Sequence, residues 1–251
     1  MIGVWTTLPA YRAVAAELPL STRSADSPAG AVVVVGGGGG SDIAAAAAVV
    51  LVDPVPGAAP TVPDGPPVIV DRVWLRSDVA AAAGICDAAV FTAECAAAAG
   101  ELAGVVRDAI GWLRQLADAP LTLESVHAVG GSAMALLRAG ERPATLTVRT
   151  IADRAARPRL RVLAAGASRT EVVVDGQDAT VVVTTQGGAQ RMPVLPESRQ
   201  RLALRRALEA VALRGQGDPG DLAELRHDDQ LCALVLDELH RRPVEGRQKP
   251  G

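Results

Sequence analysis

Three short apolar runs, residues 31–35, 49–53 and 68–71, carry valine, isoleucine and leucine without alternation. A strand with water on one face alternates polar and apolar residues, so an unbroken β-branched run marks a strand buried on both faces, which is the habit of parallel sheets. Residues 2–5 and, more weakly, 21–26 add two further strands. Pro9 suits a first helical turn, which places a helix over residues 10–18. The connections are short. Gly36 to Gly40 breaks the chain after the third run, Asp42 is placed to cap a short alanine helix, and residues 54–67 read as Pro/Gly loop. Acidic residues Asp26, Asp53 and Asp71 fall at strand ends. The first 80 residues therefore read as a reduced parallel α/β unit whose crossover helices are clipped.

Residues 81–240 have a different pattern. The spacing of Leu102, Val105 or Val106, Ala109 and Leu113 predicts an amphipathic helix over 102–116. From Leu121 to Thr185 the chain alternates, and Asp175-Gly176 joins two strands as a hairpin turn. This half reads as a mainly antiparallel open sheet flanked by helices. Helices at 198–214, stopped by Gly215, and from Asp221, with Glu224 completing a capping box, close it. Residues 241–251 form a polar tail. The fold class expected is α/β plus α+β.

Composition excludes several functions. Lys+Arg 25 against Asp+Glu 28 leaves no basic field for a nucleic-acid backbone, and 2% aromatics leave no stacking platform. The apolar stretch at 30–52 is interrupted by glycines, Ser41 and Asp42, so no membrane span is expected. Cys86, Cys95 and Cys232 make no C-x-x-C pair, and with His127, His227 and His240 they give no metal-ligand spacing. Sparse, odd cysteines and the lack of a basic-then-apolar leader point to a cytoplasmic protein.

The order of elements and several strings resemble the glucose–fructose oxidoreductase/inositol dehydrogenase family. The strings are Gly100-Glu101-Leu102, 116–120 (Leu-Ala-Asp-Ala-Pro), 135–138 before 144–148, 160–166 with 171–175, and the helix over 199–211. The match covers residues 100–240 better than 1–75. It implies an N-terminal dinucleotide-binding domain, NAD or NADP as cofactor, and packing through the C-terminal sheet, with a second copy or with an intact paralogue.

This sequence departs from each functional motif of the family. The glycine fingerprint of the first βα turn is replaced by Val4-Trp5-Thr6-Thr7-Leu8-Pro9, which makes cofactor binding doubtful. Thr6 and Thr7 hold that turn. Gly36 to Gly40 is either a flexible loop or a substitute phosphate cradle, and G-x-G-x-x-G read from Gly36 ends on Ser41. Asp26 falls where a family carboxylate meets the adenine ribose, and is otherwise a solvated turn residue. Asp53 and Pro54 fall at the loop facing the nicotinamide. The family's Glu-Lys-Pro becomes Asp71-Arg72-Val73, and its catalytic histidine becomes Asp108 with Gly111 at the following aspartate, or, in a register shifted by three, Val105 with Asp108 at the aspartate; neither restores the histidine. Arginine keeps the charge but transfers no proton near neutral pH. Asp108 is either an acid/base or an exposed helical aspartate paired with Arg107 or Arg114. The expectation is a divergent member that has lost standard hydride transfer and serves as a non-catalytic, partner or small-molecule-binding subunit. The alternative is an NAD(P)-dependent oxidoreductase, or a repurposed enzyme, with Arg72 as anion anchor and Asp108 as acid/base.

Overall fold

The computed structural model describes residues 1–18, 20–37, 43–58, 65–153, 155–176, 178–194, 197–213 and 219–241. Asp42, Gly38 to Gly40, Gly215 and the tail beyond Arg241 lie outside them. Among the described residues, β1 (Ile2–Thr6), β2 (Thr22–Ser24), β3 (Val32–Gly36), β4 (Ala48–Val52) and β5 (Val68–Asp71) form one parallel sheet in the order β2-β1-β3-β4-β5. The three continuous runs are its inner and last strands, and every residue of β5 is buried. The chain steps left from β1 to β2 through α1 (Pro9–Ala16), then right to β3. The strand order thus reverses between β1 and β3, and ligands of open α/β sheets bind outside the carboxyl ends at such a point.

The faces of this sheet are covered from the far end of the chain. Ala44 and Ala45 form a turn where a short helix was expected. Helix α4 (Arg199–Ala212) lays Ala203, Leu204 and Ala207 beside α1 on Val32, Val34, Val50 and Ile69. On the other face Leu225 of α5 (Asp221–His240) packs with Val33, Val49, Leu51 and Val68. Each fully buried aliphatic side chain contributes about 1.5–3 kcal/mol, so both late helices are integral to the parallel sheet. The expected capping box on α5 is not formed. Gly220 is the N-cap, and Asp221 spends its carboxylate on the Val70 N–H (2.9 Å) of edge strand β5 and on Arg206 (2.6 Å).

After α2 (Ser77–Ala83) comes the second sheet. Its strands are β6 (Ala88–Ala98), β7 (Leu121–Val129), β8 (Ser132–Ala139), β9 (Arg142–Ile151), β10 (Arg159–Gly166), β11 (Arg169–Asp175), β12 (Asp178–Thr185) and β13 (Gly188–Met192). The order is β13-β12-β11-β10-β6-β9-β8-β7, antiparallel except for the β6–β9 pair. The sheet therefore begins at Ala88, earlier than the alternation from Leu121 suggested. β6 escaped notice because Ala93, Cys95 and Ala97 face the core while Ala89 and Ala96 face outward, so alanine hides the alternation. Helix α3 (Ala99–Ala117) fills the inner face with Val105, Val106, Ile110, Leu113 and Leu116, all wholly buried.

Candidate functional site

The carboxyl end of β1 runs into α1 through Thr6-Thr7-Leu8-Pro9. The Thr6 hydroxyl donates to the Val34 carbonyl (3.2 Å) and accepts the Leu8 N–H (3.1 Å). Pro9 has no N–H, and the amides of Tyr11 and Arg12 both return to the Leu8 carbonyl. The Leu8 side chain lies over Gly36, 3.6 Å from where a Cβ would stand. Leucine thus bridges the ends of β1 and β3 at the switch point. Thr7 is exposed, and its carbonyl and that of Thr6 accept from Arg12. Asp26 stands exposed in the turn after β2.

Two other expected positions come together. Asp71, buried at the end of β5, accepts the Tyr11 hydroxyl at 2.6 Å and the Arg199 guanidinium at 3.2 Å. Arg199, in the first turn of α4, also grips Asp53 at 3.0 and 3.2 Å, and the Asp53 N–H reaches the Asp71 carbonyl. Asp53 adopts φ 44°, a left-handed turn conformation that aspartate tolerates better than most residues. Burial raises the Asp71 carboxyl above the usual carboxylate range, although Arg199 and the Tyr11 hydrogen bond pull the other way. Tyr11 is pushed up by burial and by Asp71, so it stays a donor. Tyr11 and Arg199 went unnoticed in the sequence because each reads there as an ordinary helical residue.

Arg72 and Asp108 meet in a separate, buried cluster between the loop after β5, α3 and α5. Arg72 Nε donates to Asp108 Oδ1 (2.8 Å), Nη1 to Asp228 Oδ2 (2.7 Å) and Nη2 to the Arg107 carbonyl (3.0 Å). Asp108 Oδ1 also accepts Arg107 Nε (2.9 Å), and Oδ2 accepts the amides of Trp74 (3.1 Å) and Leu75 (3.3 Å). Arg107 reaches the Pro54 carbonyl at 2.6 Å, while Arg114 binds Asp228 and Glu224. Burial alone would raise the Asp108 carboxyl, but the guanidiniums of Arg72 and Arg107 overcome it and hold the group below the ordinary range. Asp108 is ionised at neutral pH and Arg72 is permanently charged. Every nitrogen of Arg72 able to donate has a partner. The expected pairing with Arg107 is present, but on a residue 1% exposed rather than on a solvated helix face. Gly111 makes the cluster possible: a Cβ there would stand 2.8 Å from Asp228 Oδ2 and 2.9 Å from Arg72 Nη2.

No protein-family model matches this chain, and no curated protein sequence is detectably similar to it. Solved structures are similar along nearly the whole length. UDP-N-acetylglucosamine 3-dehydrogenase GnnA from Acidithiobacillus ferrooxidans is 12% identical, with 95% of this chain and 97% of that one covered and a TM-score of 0.56. An oxidoreductase from Sinorhizobium meliloti is 11% identical, with 95% and 96% covered and a TM-score of 0.60. The fold is that of the glucose–fructose oxidoreductase/inositol dehydrogenase type. A third neighbour is KijD10, a 3-ketoreductase from Actinomadura kijaniata in complex with NADP and TDP-benzene. It is 15% identical, with 95% and 78% covered and a TM-score of 0.51. Among the described residues no helix is long and apolar enough to cross a membrane.

Proposed function

We propose that this chain is an oxidoreductase-fold protein that no longer carries out hydride transfer in the standard place and works as a partner or small-molecule-binding subunit. The observation that carries this reading is the β1–α1 turn. A pyrophosphate needs free backbone N–H groups and close approach at a helix N-terminus. Here Leu8 lies over Gly36, Pro9 offers no donor and the Thr6 hydroxyl is committed at both lone pair and proton. These residues do not fit a dinucleotide in the usual pose. The ion cluster supports the same reading, since Arg72 and Asp108 satisfy each other and neither exchanges a proton near neutral pH.

Self-association, or pairing with a catalytically intact paralogue, through the outer face of the eight-stranded sheet belongs to this proposal, as does a cytoplasmic setting. Met134 and Leu136 are exposed on that face and supply apolar contact area. A second reading, an NAD(P)-dependent oxidoreductase or repurposed enzyme, is favoured by the NADP complex of KijD10. NADPH oxidation in the presence of carbonyl substrates, measured on the chain alone and mixed with a dehydrogenase of the same fold, separates the two. The subunit reading expects no turnover alone and a changed rate on mixing. Turnover by the chain alone, abolished by Asp108→Asn, overturns it.

A further inference from the structure

The sheet face opposite α3 treats its arginines in two ways. Three of them have a glutamate: Arg138 meets Glu124 at 2.7 Å, Arg161 meets Glu171 at 2.6 Å, and Arg169 meets Glu171 at 2.8 Å. The row at the end where α3 begins is different. In register across the strands stand Arg149 on β9, Ala96 on β6, Arg159 on β10 and Asp175 on β11. The side chains of Arg149, Arg159 and the adjoining loop residue Arg157 have no ion pair or hydrogen bond among the described residues. Strands lie about 4.8 Å apart, so the two strand arginines flank the small Ala96 as walls of a trough. Two adjoining hollows, of about 780 and 450 Å³, share Ala96, Arg149, Arg159 and Asp175 in their lining. Among the described residues, Asp175 Oδ1 is buried there without a hydrogen-bond partner.

Arg161 and Glu94, which also line the smaller hollow, face each other at 3.8 Å. The remaining three guanidiniums, against Asp175 and the Asp178 opposite it on β12, leave this corner net positive in a chain whose total is −3. A phosphate monoester carries about −1.5 to −2 at neutral pH, and guanidinium is the donor whose fork matches phosphate oxygens. A buried acceptor without a donor is costly, and a hydroxyl of the same ligand relieves it. We propose that this trough is a binding site for a small phosphorylated polyol. Arg149, Arg157 and Arg159 hold the phosphate, and Asp175 accepts from a neighbouring hydroxyl. The site lies on the face opposite α3, away from Arg72 and Asp108, and is independent of the reading of the parallel-sheet crevice. It shares that face with the proposed subunit contact at Met134 and Leu136, so it requires the trough to stay open at the rim of that contact.

Calorimetric titration of the full chain with glucose 6-phosphate, inorganic phosphate and glucose tests it. The expected result is one site for glucose 6-phosphate, weaker binding of inorganic phosphate and none of glucose. Arg149→Gln with Arg159→Gln, both exposed and checked for an unchanged melting curve, weakens both phosphates at least tenfold. Asp175→Asn abolishes the preference for glucose 6-phosphate over inorganic phosphate. The proposal is overturned if neither phosphate binds, if the double variant binds as tightly as the parent, or if Asp175→Asn leaves the preference unchanged. It is also overturned if the double variant halves the mass in sedimentation while the parent ignores phosphate, because the arginines then serve contact between copies.

Discussion

Replacing Asp108 with asparagine removes one charge from a site where both carboxylate oxygens have two donors each. If the amide NH2 turns toward Oδ1's place, it confronts the guanidiniums of Arg72 and Arg107; turned the other way, it confronts the N–H groups of Trp74 and Leu75. In either pose two donors lose their acceptor. Arg72, 5% exposed, then keeps the Arg107 carbonyl and a single full anionic partner, Asp228, which it shares with Arg114. Breaking a buried pair by removing one partner costs about 3–5 kcal/mol. Urea unfolding at pH 7 measures it, with Asp26→Asn as an exposed control expected within about 0.5 kcal/mol of the parent. The pH dependence has a definite sign. The folded-state carboxyl of Asp108 is lowered, so its stabilisation is full above the unfolded value of about 3.9 and is lost as pH falls through the folded value. The parent therefore loses stability in acid more steeply than Asp108→Asn. A variant within 1 kcal/mol of the parent at pH 7, with a parallel acid profile, refutes the view of Arg72–Asp108 as a structural tie.

Gly111→Ala forces a Cβ against Asp228 and Arg72 and is expected to lower stability by about 1–3 kcal/mol, read as a fall in melting temperature. Asp221→Ala strips the acceptor from the Val70 N–H and the partner from Arg206. A loss of about 1–3 kcal/mol and faster hydrogen exchange at the Val70 amide are expected. Burial pushes the Cys95 and Cys232 thiols up to about 12, so at pH 8 iodoacetamide labels Cys86 first. Mass mapping of the alkylated peptides checks it, and early modification of Cys232 contradicts it.

The parallel sheet could be read from the chain because three valine-rich runs leave few alternatives, and strand-end carboxylates followed from their boundaries. The helices covering that sheet could not. Leu204 and Leu225 lie more than 130 residues from the strands they cover, and nothing local in α4 or α5 distinguishes a stripe for this sheet from one for the other. At the site, Arg72 and Asp108 each stood out through their places in the element order, but their pairing with each other did not. Nor did their burial, because it depends on Asp228, which reads in α5 as one more helical acid, and on the space left at Gly111. The Tyr11–Asp71–Arg199–Asp53 chain was half seen: its carboxylates sit at strand ends, whereas its donors come from helices.

Direct titration of the chain with NADPH and NADH, following cofactor fluorescence, bears most closely on the filled β1–α1 turn. No saturable binding is expected up to about 1 mM, or only binding that Arg149→Gln/Arg159→Gln removes. A dissociation constant tighter than about 100 μM, lost on replacing Asp26 or Arg72 but kept in the Arg149/Arg159 variant, places a dinucleotide at the parallel sheet and contradicts the subunit reading.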